Sequence, residues 1–109
     1  MLVFVTSNNC AFCKKMIRET FAHPQIRDSV VGSSEPVVLN ASHAPELAKR
    51  LGVRSYPTTL VISSDSQLLQ RIEGFVEPQE FADRVWPVFV QTAAARQAAL
   101  ANPAATIAN

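Results

Sequence analysis

Leu2-Val3-Phe4-Val5-Thr6-Ser7-Asn8-Asn9-Cys10-Ala11-Phe12-Cys13 is the stretch that decides the fold. Its apolar run, with weak alternation, reads as a short buried strand over Leu2 to Thr6. Ser7-Asn8-Asn9 then supplies a turn with several helix caps in a row. The only two cysteines of the chain follow, three positions apart, where strand hands over to helix. At such a turn the first thiol meets unpaired backbone N–H groups and the positive end of the helix dipole. Both favour the thiolate, the form that attacks disulfides. Lys14 and Lys15 add positive charge, although exposed side chains contribute little through water. The second thiol lies one helical turn on, close enough to resolve a mixed disulfide. These residues point to dithiol–disulfide exchange.

Blander readings stand beside that one. A zinc site wants four ligands, and the only further candidates, His23 and His43, are far apart and in no recognised ligand spacing. No metal and no cofactor are therefore expected. A purely structural disulfide over so short a loop would restrain the unfolded chain little. Two inert cysteines could also serve as small core residues.

At 109 residues and 48% hydrophobic content the chain can bury a core of its own. A net charge of +1 gives no electrostatic reason to expect nucleic acid. No apolar run reaches membrane-spanning length, and none resembles a signal peptide. As written the chain is expected to be cytoplasmic; a domain excised from a longer protein would point to the periplasm instead.

Beyond the cysteines, Phe12, Met16, Ile17, Thr20 and Phe21 recur at helical spacing, and Pro24 breaks that helix near His23. Pro24 to Val31 forms a last turn or a second short helix. Pro36 to Leu39 is a second strand, parallel to the first through a right-handed crossover. Ser42 is the expected cap of a short helix that Gly52 ends. Thr58 to Ile62 and Leu68 to Ile72 form a third and a fourth strand around a turn at Ser63-Ser64-Asp65-Ser66. Pro78 opens a last helix through Phe81, Val85 and Trp86, with a kink or stop expected at Pro87. We therefore divide the chain into a domain over residues 1–90 and an alanine-rich tail over 91–109, a helical extension or disordered. The expected fold is α/β: a four-stranded mixed sheet in the order 2-1-3-4, flanked by helices, with the CxxC at the carboxyl end of strand one.

A second stretch, Gly52-Val53-Arg54-Ser55-Tyr56-Pro57-Thr58, puts a proline at the mouth of a strand, where it removes a ladder donor. Most such prolines are trans. Taken with the strand-CxxC-helix at the front and Gly74 after the hairpin, however, the pattern resembles the thioredoxin superfamily over roughly residues 2 to 90. The run Cys13-Lys14-Lys15-Met16, then Thr20-Phe21 and Pro24, is similar to thioredoxin-like domains related to the C-terminal part of bacterial thiol:disulfide interchange proteins. The resemblance implies that Cys10 is the nucleophile, Cys13 the resolving thiol and Pro57 a cis-proline. It implies a protein-disulfide oxidoreductase of cell redox homeostasis in bacteria, with protein disulfides or dithiols as substrates and an electron donor it does not identify. Phe12, Tyr56 and Pro57 are the candidate substrate-binding residues; the alternative for Phe12 is a core position.

Three departures from the family pattern matter. The family's usual first strand and helix are absent, which leaves strand two at an edge, where Val37, Val38 and Leu39 offer backbone to a partner strand or a second copy. The buried aspartate that the family carries six residues before its first cysteine is Phe4 here, and the accompanying lysine is Val38. Without them Cys13 must lose its proton elsewhere, and resolution of mixed disulfides is expected to be slow. Asn9 stands where a tryptophan is usual, and Ala11-Phe12 replaces the common Gly-Pro. Two other functions compete: a binding or adaptor module of the same fold with vestigial cysteines, and a glutathione-dependent, glutaredoxin-like enzyme.

Overall fold

The computed structural model describes residues 1–101. Its elements run β1 (Leu2–Thr6), α1 (Ala11–Met16), a π-helical continuation (Ile17–Phe21), α2 (Pro24–Ser33), β2 (Pro36–Asn40), α3 (Pro45–Arg50), β3 (Thr58–Ile62), β4 (Leu68–Glu73) and α4 (Pro78–Ala101). The sheet order is β2-β1-β3-β4, as the sequence led us to expect. β1 and β2 are parallel, whereas β3 runs antiparallel to both β1 and β4. A helical crossover makes the first pairing and a hairpin over residues 63–67 the last.

Alternation along β1 divides the interior in two. Leu2 and Phe4 point to one face, with Val61 and Ile72, where Cys13, Met16, Ile26, Val30, Phe81, Val85 and Phe89 from α1, α2 and α4 cover them. Val3, Val5 and Leu60 point to the other, where Ala48 and Val53 of the α3 region close the layer. β1 is buried along its apolar length because both of its faces are covered. β4, at an edge, leaves Leu68 and Leu69 exposed.

Several local expectations are corrected. Phe12 and Ile17 share a helical spacing with Met16 but are exposed, so the buried stripe of the CxxC helix is Cys13, Met16 and Thr20. Ser42 does not cap α3: the cap residue is Ala44, and the Ser42 hydroxyl accepts instead from the Asn8 N–H at 3.0 Å. α4 passes through Pro87 and runs on to Ala101. The proline removes one backbone donor, but Val85 and Phe89 are buried on either side of it and pin the helix to the sheet. Of the alanine-rich tail, residues 102–109 lie outside the described residues.

The packing sets a contrast in stability. Phe81 is buried and meets the Phe21 ring edge-on at 5.3 Å. Phe81→Ala should cost about 3–5 kcal/mol, whereas Trp86→Ala, one turn along and exposed, should change stability by no more than about 0.5 kcal/mol. Urea denaturation of the two variants checks this.

Candidate functional site

The turn after β1 is shaped by its asparagines. Asn9 adopts φ 60°, a left-handed conformation that asparagine accepts more readily than most residues. Asn8 is held from two sides: its N–H bonds to Ser42, and its side-chain oxygen accepts from Asn40 Nδ2 at 3.1 Å. This fixed turn delivers Cys10 to the N-cap of α1 in an extended conformation, with φ −98° and ψ 102°. Its carbonyl accepts the first helical bond, from the Lys14 N–H.

At the N-cap the Cys10 Sγ accepts the Cys13 N–H at 3.1 Å. Cys10 and Cys13 are joined by a disulfide, their Cα atoms 5.2 Å apart. The two sulfurs differ in access. Cys13 is 1% exposed within the helix-covered core, while Cys10 is half-buried at its margin. An incoming sulfur therefore meets Cys10 first. Lys14 is exposed; Lys15 places its ammonium 4.5 Å from the Phe75 ring centroid and 4.0 Å from Glu19, so neighbours other than the thiols share its charge.

Tyr56 and Pro57 reach the same place from the other direction. β1 and β3 are antiparallel with Val5 opposite Thr58, so the residues just before β3 lie at the end of β1 that leads to Cys10. The Tyr56–Pro57 peptide is cis. The Thr58 hydroxyl donates to the Ser55 carbonyl at 2.7 Å, and the Gly74 N–H donates to the Pro57 carbonyl at 2.7 Å. Gly74 has φ 86°, which explains a glycine at this bend. Two residues on, the Val76 carbonyl accepts the buried Thr20 hydroxyl at 2.6 Å. The segment after β4 thus ties the Pro57 loop to the helix that carries the cysteines.

The sequence placed Thr20 on a helix face, Asn8 in a turn and Ser42 at a helix cap, but gave none of them a part in the site, since hydroxyl and amide side chains carry no spacing signal for tertiary bonds. Phe12 is 59% exposed, which excludes the core position for it, and Tyr56 is 36% exposed. Phe4 is buried, its ring 5.0 Å from that of Phe21 in an edge-on pair. All nine carboxylate side chains of the chain are exposed, so no acid accompanies Cys13 in the core. Among the described residues, no cluster of three histidine, cysteine or acidic side chains could hold a metal ion. No described helix is long and apolar enough to cross a membrane.

Comparison with known proteins agrees with this geometry. The family model of the thioredoxin-like domain matches residues 1–85. The C-terminal domain of Neisseria meningitidis DsbD in its oxidised form superposes with a TM-score of 0.66 at 23% identity, over 76% of this chain and 74% of that one. A thioredoxin from Thermus thermophilus gives a TM-score of 0.73 at 22% identity, over 86% and 76%. A thioredoxin-fold protein from Helicobacter pylori gives 0.69 at 18%, over 74% and 63%. At these identities the likeness establishes the fold. No curated protein sequence matches the chain significantly.

The unequal exposure of the sulfurs predicts the order of modification. After reduction, iodoacetamide should label Cys10 well before Cys13, as peptide mass spectrometry would show. Equal labelling of both would contradict the placement of Cys13 in the core.

Proposed function

The chain belongs to the thioredoxin-like domain family, and from that membership we propose that it is a protein-disulfide oxidoreductase working through Cys10 and Cys13. A CxxC pair joined as a disulfide in this fold supports thiol–disulfide redox chemistry in general. The observation that carries the finer reading is the N-cap position of Cys10, with a backbone N–H on its sulfur and its partner thiol buried behind it.

In the reducing direction the Cys10 thiolate attacks one sulfur of a protein disulfide. The Cys10–substrate bond forms as the substrate's own S–S bond breaks, and the first substrate thiolate leaves. The Cys13 N–H bond to Sγ and the helix N-terminus stabilise the attacking charge. Cys13 then gives up its proton and attacks Cys10 Sγ. The intramolecular disulfide forms, and the second substrate thiolate departs. Two electrons have passed from the dithiol to the substrate, and a thiol donor must return them. Because no buried carboxylate is at hand, the Cys13 proton goes to water or to the leaving thiolate. This makes resolution the slower half of the cycle. Exposed Phe12 and Tyr56 flank the entrance and suit apolar segments of a protein substrate.

Cys10→Ser should abolish catalysed reduction of a protein disulfide, measured by turnover with dithiothreitol as donor. If turnover is unchanged, the chain is a binding module rather than an exchange enzyme. In Cys13→Ser, mixed disulfides through Cys10 should accumulate and be visible on non-reducing gels. Replacing both Phe12 and Tyr56 with serine should raise KM for protein disulfides while leaving reaction with small disulfides nearly intact.

A further inference from the structure

The outer edge of β2 carries a hydrogen-bonding pattern that complements itself. The Leu2 N–H donates to the Glu35 carbonyl, and the Ala41 N–H donates to the Thr6 carbonyl. With Leu2 opposite Pro36 and Thr6 opposite Asn40, these two bonds fix the parallel ladder. The backbone groups of Glu35, Val37, Leu39 and Ala41 face β1. Those of Pro36, Val38 and Asn40 face outward.

The outward set has two irregularities. Pro36 has no N–H to offer. The Asn40 carbonyl is already taken, by the N–H groups of His43 at 3.1 Å and Ala44 at 3.0 Å. What remains without a partner among the described residues is the Pro36 carbonyl, the N–H and carbonyl of Val38, and the Asn40 N–H. Laid antiparallel against a second copy with Val38 opposite Val38, these groups match without remainder. Each Val38 exchanges both of its bonds with its counterpart, and each Asn40 N–H meets a Pro36 carbonyl. The missing N–H of Pro36 falls opposite the one carbonyl that needs no donor.

We propose that two copies of this chain pair through β2, antiparallel about a two-fold axis at Val38, to give one continuous eight-stranded sheet. An isologous interface requires this kind of self-complementarity, and a generic partner strand would not explain the paired irregularities. Side chains agree. Val38 is 68% exposed although it lies in a strand, and in the pair the two valines stand side by side on one face of the sheet. The catalytic ends remain open. β2 lies on the side of β1 away from β3 and Pro57, and antiparallel pairing puts the two CxxC turns at opposite ends of the joint sheet. Asn40 links the interface to the site, since its N–H enters the pairing while its side chain holds Asn8. The inference does not rest on the redox reading.

Analytical ultracentrifugation of the full chain under reducing conditions provides the test. The wild type should show a concentration-dependent dimer. Val38→Lys and Val38→Glu each place like charges together at the axis and should sediment as monomers. An equimolar mixture of the two should recover the dimer. Val38→Pro removes the outward N–H without touching a bond to β1 and should also be monomeric. Circular dichroism identifies any variant that fails to fold, in which case the others decide. A wild type that stays monomeric, charge variants that dimerise as it does, or a mixture that stays monomeric would each overturn the proposal.

Discussion

The site depends on one constraint: the chain must leave the end of β1 and enter α1 with a sulfur at the N-cap. Asn9 supplies the left-handed turn, Asn40 and Ser42 hold Asn8, and the Cys13 N–H closes on Cys10 Sγ. Each of these groups lies on a different element, so the position of Cys10 depends on β1, β2 and the approach to α3 together. Under the proposed function these groups are already oriented toward the sulfur before any substrate arrives. The helix that provides them is in turn fixed by Met16 and Thr20, buried against the sheet and the segment after β4.

Behind the cysteines the structure is apolar. Phe4, Phe21 and Phe81 form a chain of edge-on rings where the family pattern would place an acid. Such packing contributes stability but leaves no buried carboxylate beside Cys13 in the core. Under the proposed function the two halves of the exchange are served unequally: attack by Cys10 is prepared by the N-cap, whereas release by Cys13 depends on water and on the substrate's own leaving sulfur.

Much of this architecture was legible in the sequence because it rests on periodicity and punctuation. The buried runs of β1 and β3 and the turn at Ser63 to Ser66 marked the strands, and the succession β-α-β-α-β-β-α pointed to the sheet order. What escaped were places where tertiary contacts overrule local signals. Pro87 reads as a stop, yet α4 continues because Val85 and Phe89 anchor it on both sides. Ile17 fits a buried stripe by spacing, yet it is exposed. Ser42 looks like a cap, yet its hydroxyl serves Asn8, 34 residues away in sequence. The restraints on the site were the least readable part. They come from single hydroxyl and amide groups that meet only after folding.

The most direct test of the central claim is the redox equilibrium of the Cys10–Cys13 pair, titrated against glutathione or dithiothreitol and read by the fraction of free thiol. The account predicts one reversible two-electron transition, between the roughly −270 mV of a reductant such as thioredoxin and the roughly −120 mV of a strong oxidant. A pair that forms no reversible disulfide at any poise would contradict it and leave a binding module in its place.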